Sequence, residues 1–255
     1  MNYNKDFERS DVTQESQYGF PYHYIPSFDN GHFCQHIYWR WGLSYVAGLE
    51  LILSTLAEKD FESLLDVGCG DGRFIREVND RFPGKKLLGV DSSAQAINLA
   101  QAMNPSLSYA CINIDTKQAG KENFDVVTLI EVLEHIPIDS VTDFVTAFAA
   151  TQKPNGRLVL TVPHKNNPIQ VKHFQHFDTV TLKMVLEHHY DIERMVFFDK
   201  RGGVFRRIVG NLIGNRFFIL NNRRLLNFIY KIYKRHLLIC KESECRRILV
   251  VGRRR

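Results

Sequence analysis

Hydrophobic residues along the chain follow two alternating rhythms: short unbroken runs, and longer stretches with apolar positions three or four apart. Runs at Leu64-Leu65, Lys86 to Val90, Leu107 to Ile112, Phe124 to Ile130, Arg157 to Val162, Asp191 to Phe198 and Arg246 to Val251 predict seven strands. Helical spacing covers about Ile37 to Ala57, where Leu43, Val46, Ala47, Leu49, Leu53 and Leu56 recur, and opens again at Phe74 with Ile75 and Val78. Further helices are predicted over Ala94 to Met103 behind a Ser92-Ser93 cap, from Asp139 or Ser140 to about Thr151, and from Thr179 to His189. Lys153-Pro-Asn-Gly156 reads as a turn into the fifth strand. Strands alternating with helices predict an α/β domain built on a mostly parallel sheet.

The sharpest break between the rhythms is Leu64 to Phe74, Leu-Leu-Asp-Val-Gly-Cys-Gly-Asp-Gly-Arg-Phe. Glycine at a strand-to-helix turn lets the backbone approach a ligand closely at a helix N-terminus. A dinucleotide fingerprint starting at Gly68 requires a glycine at position 73, where this chain has Arg73. Asp91 closes the second strand, about 20 residues beyond the turn, where a carboxylate can accept hydrogen bonds from two ribose hydroxyls. An acidic residue, Asp66, followed by Gly68, Gly70 and Gly72 resembles the first motif of class I S-adenosylmethionine-dependent methyltransferases. The resemblance implies a Rossmann-like, doubly wound, seven-stranded and mostly parallel sheet. To it the sequence adds an N-terminal helical and aromatic lid and a basic helical insertion before the last strand. The resemblance also implies S-adenosylmethionine as cofactor, with the glycine turn at its methionine end, Asp91 on the ribose and Asp115 on the adenine amino group. The residues expected around it are Asp66, Gly68, Cys69, Gly70, Asp91, Ser92, Asp115 and Ile130.

The fourth strand runs directly into Glu131-Val-Leu-Glu134-His135-Ile-Pro137. Were this turn helical, Glu131, Glu134 and His135 would share one face at the carboxyl ends of the strands, where open parallel sheets bind ligands. The segment resembles the glutamate-x-x-glutamate-histidine run of ubiquinone-pathway-type O-methyltransferases, and the residues around His173 resemble a histidine loop of the same family. The likeness covers roughly Leu64 to Phe198. Glu131, Glu134, His135 and His173 together form a ligand set suited to Mg²⁺ or to Zn²⁺ or Mn²⁺, and a metal there would lower the pKa of an acceptor hydroxyl. The same positions match the metal quartet of small-RNA 2′-O-methyltransferases. A metal-free general base, His135 or His173, is the equal alternative, and the catalytic set is His135, His173 and Glu131. His164 and His176 are expected at the polar surface or in local hydrogen bonds.

Length and composition change the picture in two places. At 255 residues the chain can bury a full α/β core. It has no apolar run of about 18 residues, so no spanning helix is expected, and its polar start does not read as a signal peptide. Five cysteines without a C-x-x-C read as reduced thiols of a cytosolic protein. The net charge of +5 conceals a polarity: residues 201–255 carry 15 Lys and Arg against 2 Asp and Glu. Within 202–240, Leu225, Ile229, Ile232 and Tyr233 form an apolar face opposite Arg224, Lys231, Lys234 and Arg235. Such a basic amphipathic segment fits the inner face of an anionic membrane, a cap on the sheet or a dimer partner; RNA is disfavoured by its many long aliphatics. At the other end, Tyr22, His23 and Tyr24 belong to a proline-bracketed aromatic segment, either a strap over the core or part of an acceptor pocket.

The expected organisation is a lid and leading helix over 1–58, a cofactor-binding core over 59–200, a basic insertion over 201–245, and a last strand with a basic tail over 246–255. The expected activity is methylation of a hydroxyl on a small-molecule, glycan or lipid-linked acceptor. The alternatives are a metal-dependent RNA 2′-O-methyltransferase and a non-catalytic cofactor-binding scaffold.

Overall fold

The computed structural model describes residues 26–29, 32–35, 42–114, 124–171, 173–213, 217, 220 and 222–255. Asp115, Tyr22 to Tyr24, Trp39 and Trp41 therefore lie outside the described residues. The chain forms two compact units, Met1–Trp41 with Val204–Asn222, and Gly42–Gly203 with Arg223–Arg255. The sequence grouped the leading helix with the N-terminal segment and treated the insertion as one piece. In the structure the helix falls in the larger unit, and the insertion is divided between the two.

In the smaller unit, β1 (Pro26–Asp29) and β2 (His32–Gln35) pair antiparallel. The larger unit opens with α1 (Gly42–Leu56), which buries Leu49, Ile52, Leu53 and Leu56. After it come β3 (Ser63–Val67), α2 (Arg73–Arg81), β4 (Lys86–Asp91), α3 (Ala94–Met103), β5 (Ser108–Cys111) and β6 (Phe124–Ile130). Then follow α4 (Val141–Ala150), β7 (Gln152–Pro163), α5 (Thr179–Leu186) and β8 (Tyr190–Lys200). The insertion contributes α6 (Val204–Ile213) to the smaller unit and α7 (Arg223–Tyr233) to the larger, and β9 (Cys245–Arg254) closes the chain.

Seven strands form one sheet in the order β5-β4-β3-β6-β7-β9-β8. The first five are parallel, and β9 lies antiparallel between β7 and β8. All five residues of β3 are buried, as a strand covered by helices on both faces requires. The order reverses direction at β3, so the carboxyl ends of β3, β4 and β6 open the crevice in which such sheets hold ligands. The seven-stranded, mostly parallel sheet read from the sequence is present.

Local chemistry explains the element ends. Ser93 Oγ accepts from the Ala96 amide at 3.2 Å and caps α3. Asp178 and Thr181 form a capping box at α5. The backbone N–H of Thr181, together with Lys165, holds the Asp178 carboxyl well below its usual range. The predicted turn at Lys153 to Gly156 lies inside β7: the register with β6 jumps from Phe124↔Gln152 to Val126↔Arg157, with Asn155 at φ 61°. It is thus a bulge. Beyond it Arg157, buried, donates to the carbonyls of Thr55, Leu56 and Lys59 and satisfies the open C-terminal end of α1.

In α7 the apolar face read from the sequence is half consumed by packing, while Leu225 stays exposed. Ile229 and Tyr233 are buried, as are Leu237 and Leu238 in the π-turn Lys234–Leu238 that follows, and Lys234 pairs with Glu50 of α1 at 2.6 Å. This half of the insertion caps the core. On α6, Val204 and Ile208 stay exposed. No helix among the described residues is long and apolar enough to cross a membrane.

Candidate functional site

The glycine turn is shaped by backbone that only glycine adopts readily. Gly68, Gly70 and Gly72 have φ of 75°, 55° and 77°. A Cβ on Gly68 would lie 2.5 Å from Val132, and one on Gly72 would lie 2.5 Å from the Tyr109 hydroxyl, whereas Gly70 has nothing within 4 Å among the described residues. The Gly68 and Cys69 amides both donate to the Val90 carbonyl, which pins the turn to β4. Burial pushes the Cys69 thiol far above its ordinary pKa, so it acts as an inert filler.

Asp91 faces this turn from the end of β4. Its Oδ2 accepts from the Gly70 amide at 3.0 Å and its Oδ1 from the Ser93 amide at 2.9 Å. Each oxygen thus spends one lone pair on backbone and keeps another for a ligand. Asp66 behaves differently. It is 2% exposed, pairs in register with Thr128 of β6, and its Oδ1 accepts from the Thr128 hydroxyl at 2.7 Å. Burial raises its pKa to about 7, against the Thr128 hydrogen bond and with help from the Asp91 charge. It does not line the cavity. Nor do Cys69, Gly70 or Ile130, although the strand that Ile130 ends delivers Glu131 there.

A cavity of about 390 Å³ opens over these strand ends, lined by residues that include Gly68, Asp91, Ser92, Glu131, Val132 and His135. Val67, Val90, Ile112 to Ile114, Ile136 and Phe144 supply the rest of its wall. Sequence reasoning singled out neither Val132 nor Phe144. Their signal was generic, since apolar residues beside a functional turn read as core.

The turn after β6 corrects one expectation. Glu131, Glu134 and His135 do not share a helical face: Glu131 takes φ 57°, and only Leu133–His135 close a single 3₁₀ turn. The strained backbone at Glu131 swings its side chain to Arg247, whose Nε lies 3.1 Å from Oε2. Glu134, buried, His135 and His173 do come together, each offering a ligand atom within 4.8 Å of the others. The His135 and His173 rings meet edge to face with centroids 4.8 Å apart. The Phe174 amide donates to the Glu134 carbonyl at 2.8 Å and clips the two segments together.

His164 and His176 are buried and make the local hydrogen bonds expected of them as an alternative to the surface. His164 Nδ1 accepts from the Asn166 amide. His176 Nδ1 lies 3.2 Å from the Asn167 carbonyl and its Nε2 lies 2.8 Å from His173 Nδ1. A carbonyl only accepts, so His176 Nδ1 carries the hydrogen. In the neutral pair His176 Nε2 then accepts from His173 Nδ1, and the lone pair of His173 sits on Nε2.

A glycine turn facing a carboxylate at the switch point of this sheet defines a Rossmann-like ligand-binding domain. The chain belongs to the methyltransferase domain family, whose model matches residues 38–175, more than half of it. Among curated relatives, the ubiquinone biosynthesis O-methyltransferase of Idiomarina loihiensis is 33% identical over 110 residues, 41% of this chain and 44% of that protein. The mitochondrial ubiquinone biosynthesis O-methyltransferase of Schizosaccharomyces pombe is 36% identical over 107 residues, 39% of this chain and 37% of that protein. The chain thus spans less than half the length of these relatives. A putative sarcosine dimethylglycine methyltransferase from Galdieria sulphuraria has the same fold, with TM-score 0.59 and 11% identity over 90% of this chain and 92% of that one. So does the N-methyltransferase NodS of Bradyrhizobium japonicum in complex with S-adenosyl-L-homocysteine, with TM-score 0.54 and 17% identity over 83% and 86%.

Proposed function

We propose that the protein transfers a methyl group from S-adenosylmethionine to a hydroxyl of a small-molecule, glycan or lipid-linked acceptor. The observation that carries this reading is one cavity walled on one side by Gly68, Asp91 and Ser92 and on the other by Glu131 and His135. The residues present fit the cofactor. Open space beside Gly70 admits a ligand close to the backbone, and Asp91 retains an acceptor site on each oxygen for the ribose hydroxyls. Asp115 is assigned to the adenine amino group. When bound, S-adenosylmethionine supplies an electrophilic methyl on a sulfonium, so the chain has mainly to align the acceptor and take its proton. His173 is suited to the second task, because His176 holds its Nδ1–H and leaves Nε2 as the base. Hydroxyl acceptors are favoured over amines by the named activity of the curated relatives.

The 4.8 Å grouping of Glu134, His135 and His173 supports a second reading of the same cluster, a divalent metal such as Mg²⁺ or Zn²⁺. One carboxylate and two imidazoles fit such an ion, and a histidine ligand commonly has its other ring nitrogen held, as His176 holds that of His173. A metal would supply Lewis acidity toward the acceptor oxygen. The RNA alternative rested on the basic tail and on a quartet that included Glu131, which here is engaged by Arg247. The membrane reading draws on exposed apolar side chains of both inserted helices, Val204 and Ile208 on α6 and Leu225 and Phe228 on α7.

Calorimetry with S-adenosylhomocysteine tests the central claim. Binding should be micromolar or tighter and should fall at least about tenfold in Asp91→Ala, the loss of two charge-assisted hydrogen bonds; absence of binding by the unaltered chain removes the proposal. Elemental analysis of the purified protein, with Glu134→Gln as control, separates the metal from the bare base.

A further inference from the structure

We propose that Arg247 is a positioning residue of the cavity, setting the Glu131 carboxylate and tying it to the inserted helix α7 through Asp199 and Tyr233. This rests on the methyltransferase reading of the cavity. Arg247 stands on β9 opposite Pro163 of β7 and Phe198 of β8, at the rim where the sheet meets the site. Its Nε lies 3.1 Å from Glu131 Oε2, and its Nη1 lies 3.8 Å from Asp199 Oδ2. Asp199 is 2% exposed, and its Oδ1 accepts from the Tyr233 hydroxyl at 2.8 Å. Tyr233, buried, is the last residue of α7.

Both carboxylates on this guanidinium are carried by residues with left-handed backbone, Glu131 at φ 57° and Asp199 at φ 59°. A side chain in that region costs free energy, and such strain persists where surrounding contacts over-determine it. An arginine hydrogen-bonded to one strained acid and 3.8 Å from the other, which Arg246 Nε also approaches at 3.8 Å, is part of such a set of contacts. Glu131 Oε1 is buried and has no hydrogen-bond partner among the described residues. A buried carboxylate oxygen left in this way is satisfied when a donor arrives, and the ligand class indicated is one that brings an ammonium or hydroxyl to the cavity wall. Burial alone would lower the Arg247 pKa, but Glu131 and Asp199 more than offset it, so the arginine stays charged. The insertion, absent from the minimal alternation of strands and helices, thereby gains a physical connection to the site.

The test is a double-mutant cycle on the full chain, with S-adenosylhomocysteine affinity measured by calorimetry and folding checked by thermal unfolding. Arg247→Met should weaken binding at least tenfold, Arg247→Lys should recover part of the loss, and Tyr233→Phe should weaken binding two- to fivefold. Because Arg247 acts through Glu131, Arg247→Met combined with Glu131→Gln should bind no worse than Glu131→Gln alone. Fully additive losses, or Arg247→Met binding like the unaltered chain, overturn the inference. If Arg247→Met does not fold, Tyr233→Phe decides: it removes one hydroxyl, and unchanged affinity refutes the link to α7. Failure of the unaltered chain to bind removes the methyltransferase reading, and this inference with it.

Discussion

The two walls of the cavity are built by different means. On the glycine side the shape is set by backbone: three positive φ values, amides tied to Val90, and a carboxylate that reads two backbone N–H groups from residues near in sequence. On the glutamate and histidine side it is set by side chains whose partners come from far away, as Glu131 meets Arg247 116 residues on and Glu134 and His135 meet His173. A backbone-defined wall tolerates few substitutions, because each alters the chain path itself. The side-chain wall can lose one group and keep its frame. The two sides should therefore differ in how stability and binding respond to mutation.

The largest effect is expected at Gly68. A valine there meets a left-handed backbone, costing about 1–3 kcal/mol, and a Val132 side chain 2.5 Å from the new Cβ, costing about as much again by overpacking. Urea unfolding of Gly68→Val should show a loss of about 3–5 kcal/mol. A loss below about 1 kcal/mol would mean that Val132 yields easily and that this wall is not fixed by its backbone.

Next in size is a pH effect from Asp66. Its pKa is about 7 in the folded chain and near 3.8 when unfolded, so between these values the folded state binds the extra proton. Stability should therefore fall as pH rises through this window and level off above about 7. Asp66→Asn keeps a carbonyl-type acceptor for Thr128 and removes the titration. At pH 8 it should be more stable than the unaltered chain by roughly 2–4 kcal/mol, with the difference vanishing near pH 4. Unfolding curves at the two pH values check this, and equal stabilities at pH 8 would show that Asp66 ionises without cost.

The contrast between the walls also explains what could be read in advance. Leu64 to Phe74 and Asp91 carry the glycine side within one strand–turn–helix–strand unit, so spacing along the chain fixes their spatial relation. The strands themselves were legible for the same reason, since each announced itself by a local run. The other wall depends on register between strands far apart in sequence. Nothing local marks Arg247 as the partner of Glu131, because one arginine in a basic C-terminal stretch looks like any other. Left-handed backbone at Glu131 was equally hidden, since glutamate carries no preference for it, and the helical face expected of Glu131, Glu134 and His135 was lost there. His176 was visible as a residue but not as the partner of His173, a relation that depends on how the Gln170 to Phe177 loop folds back.

The smallest expected effect on stability is also the one that separates ligand binding from folding on the glycine side. Gly70 shares the left-handed backbone of Gly68, with φ 55°, but a Cβ there meets nothing within 4 Å among the described residues. Gly70→Ala therefore carries only the conformational cost, about 1 kcal/mol, part of it offset by the lower entropy of the unfolded chain. Its amide still donates to Asp91, so the turn keeps its frame. The added methyl occupies space that a ligand needs for close approach to the backbone. S-adenosylhomocysteine affinity should drop at least about tenfold, or 1.4 kcal/mol, while the urea midpoint barely moves. Were affinity unchanged as well, the open space beside Gly70 would not be where the cofactor lies against the chain, and the glycine wall would owe its shape to packing against Val132 and Tyr109 alone.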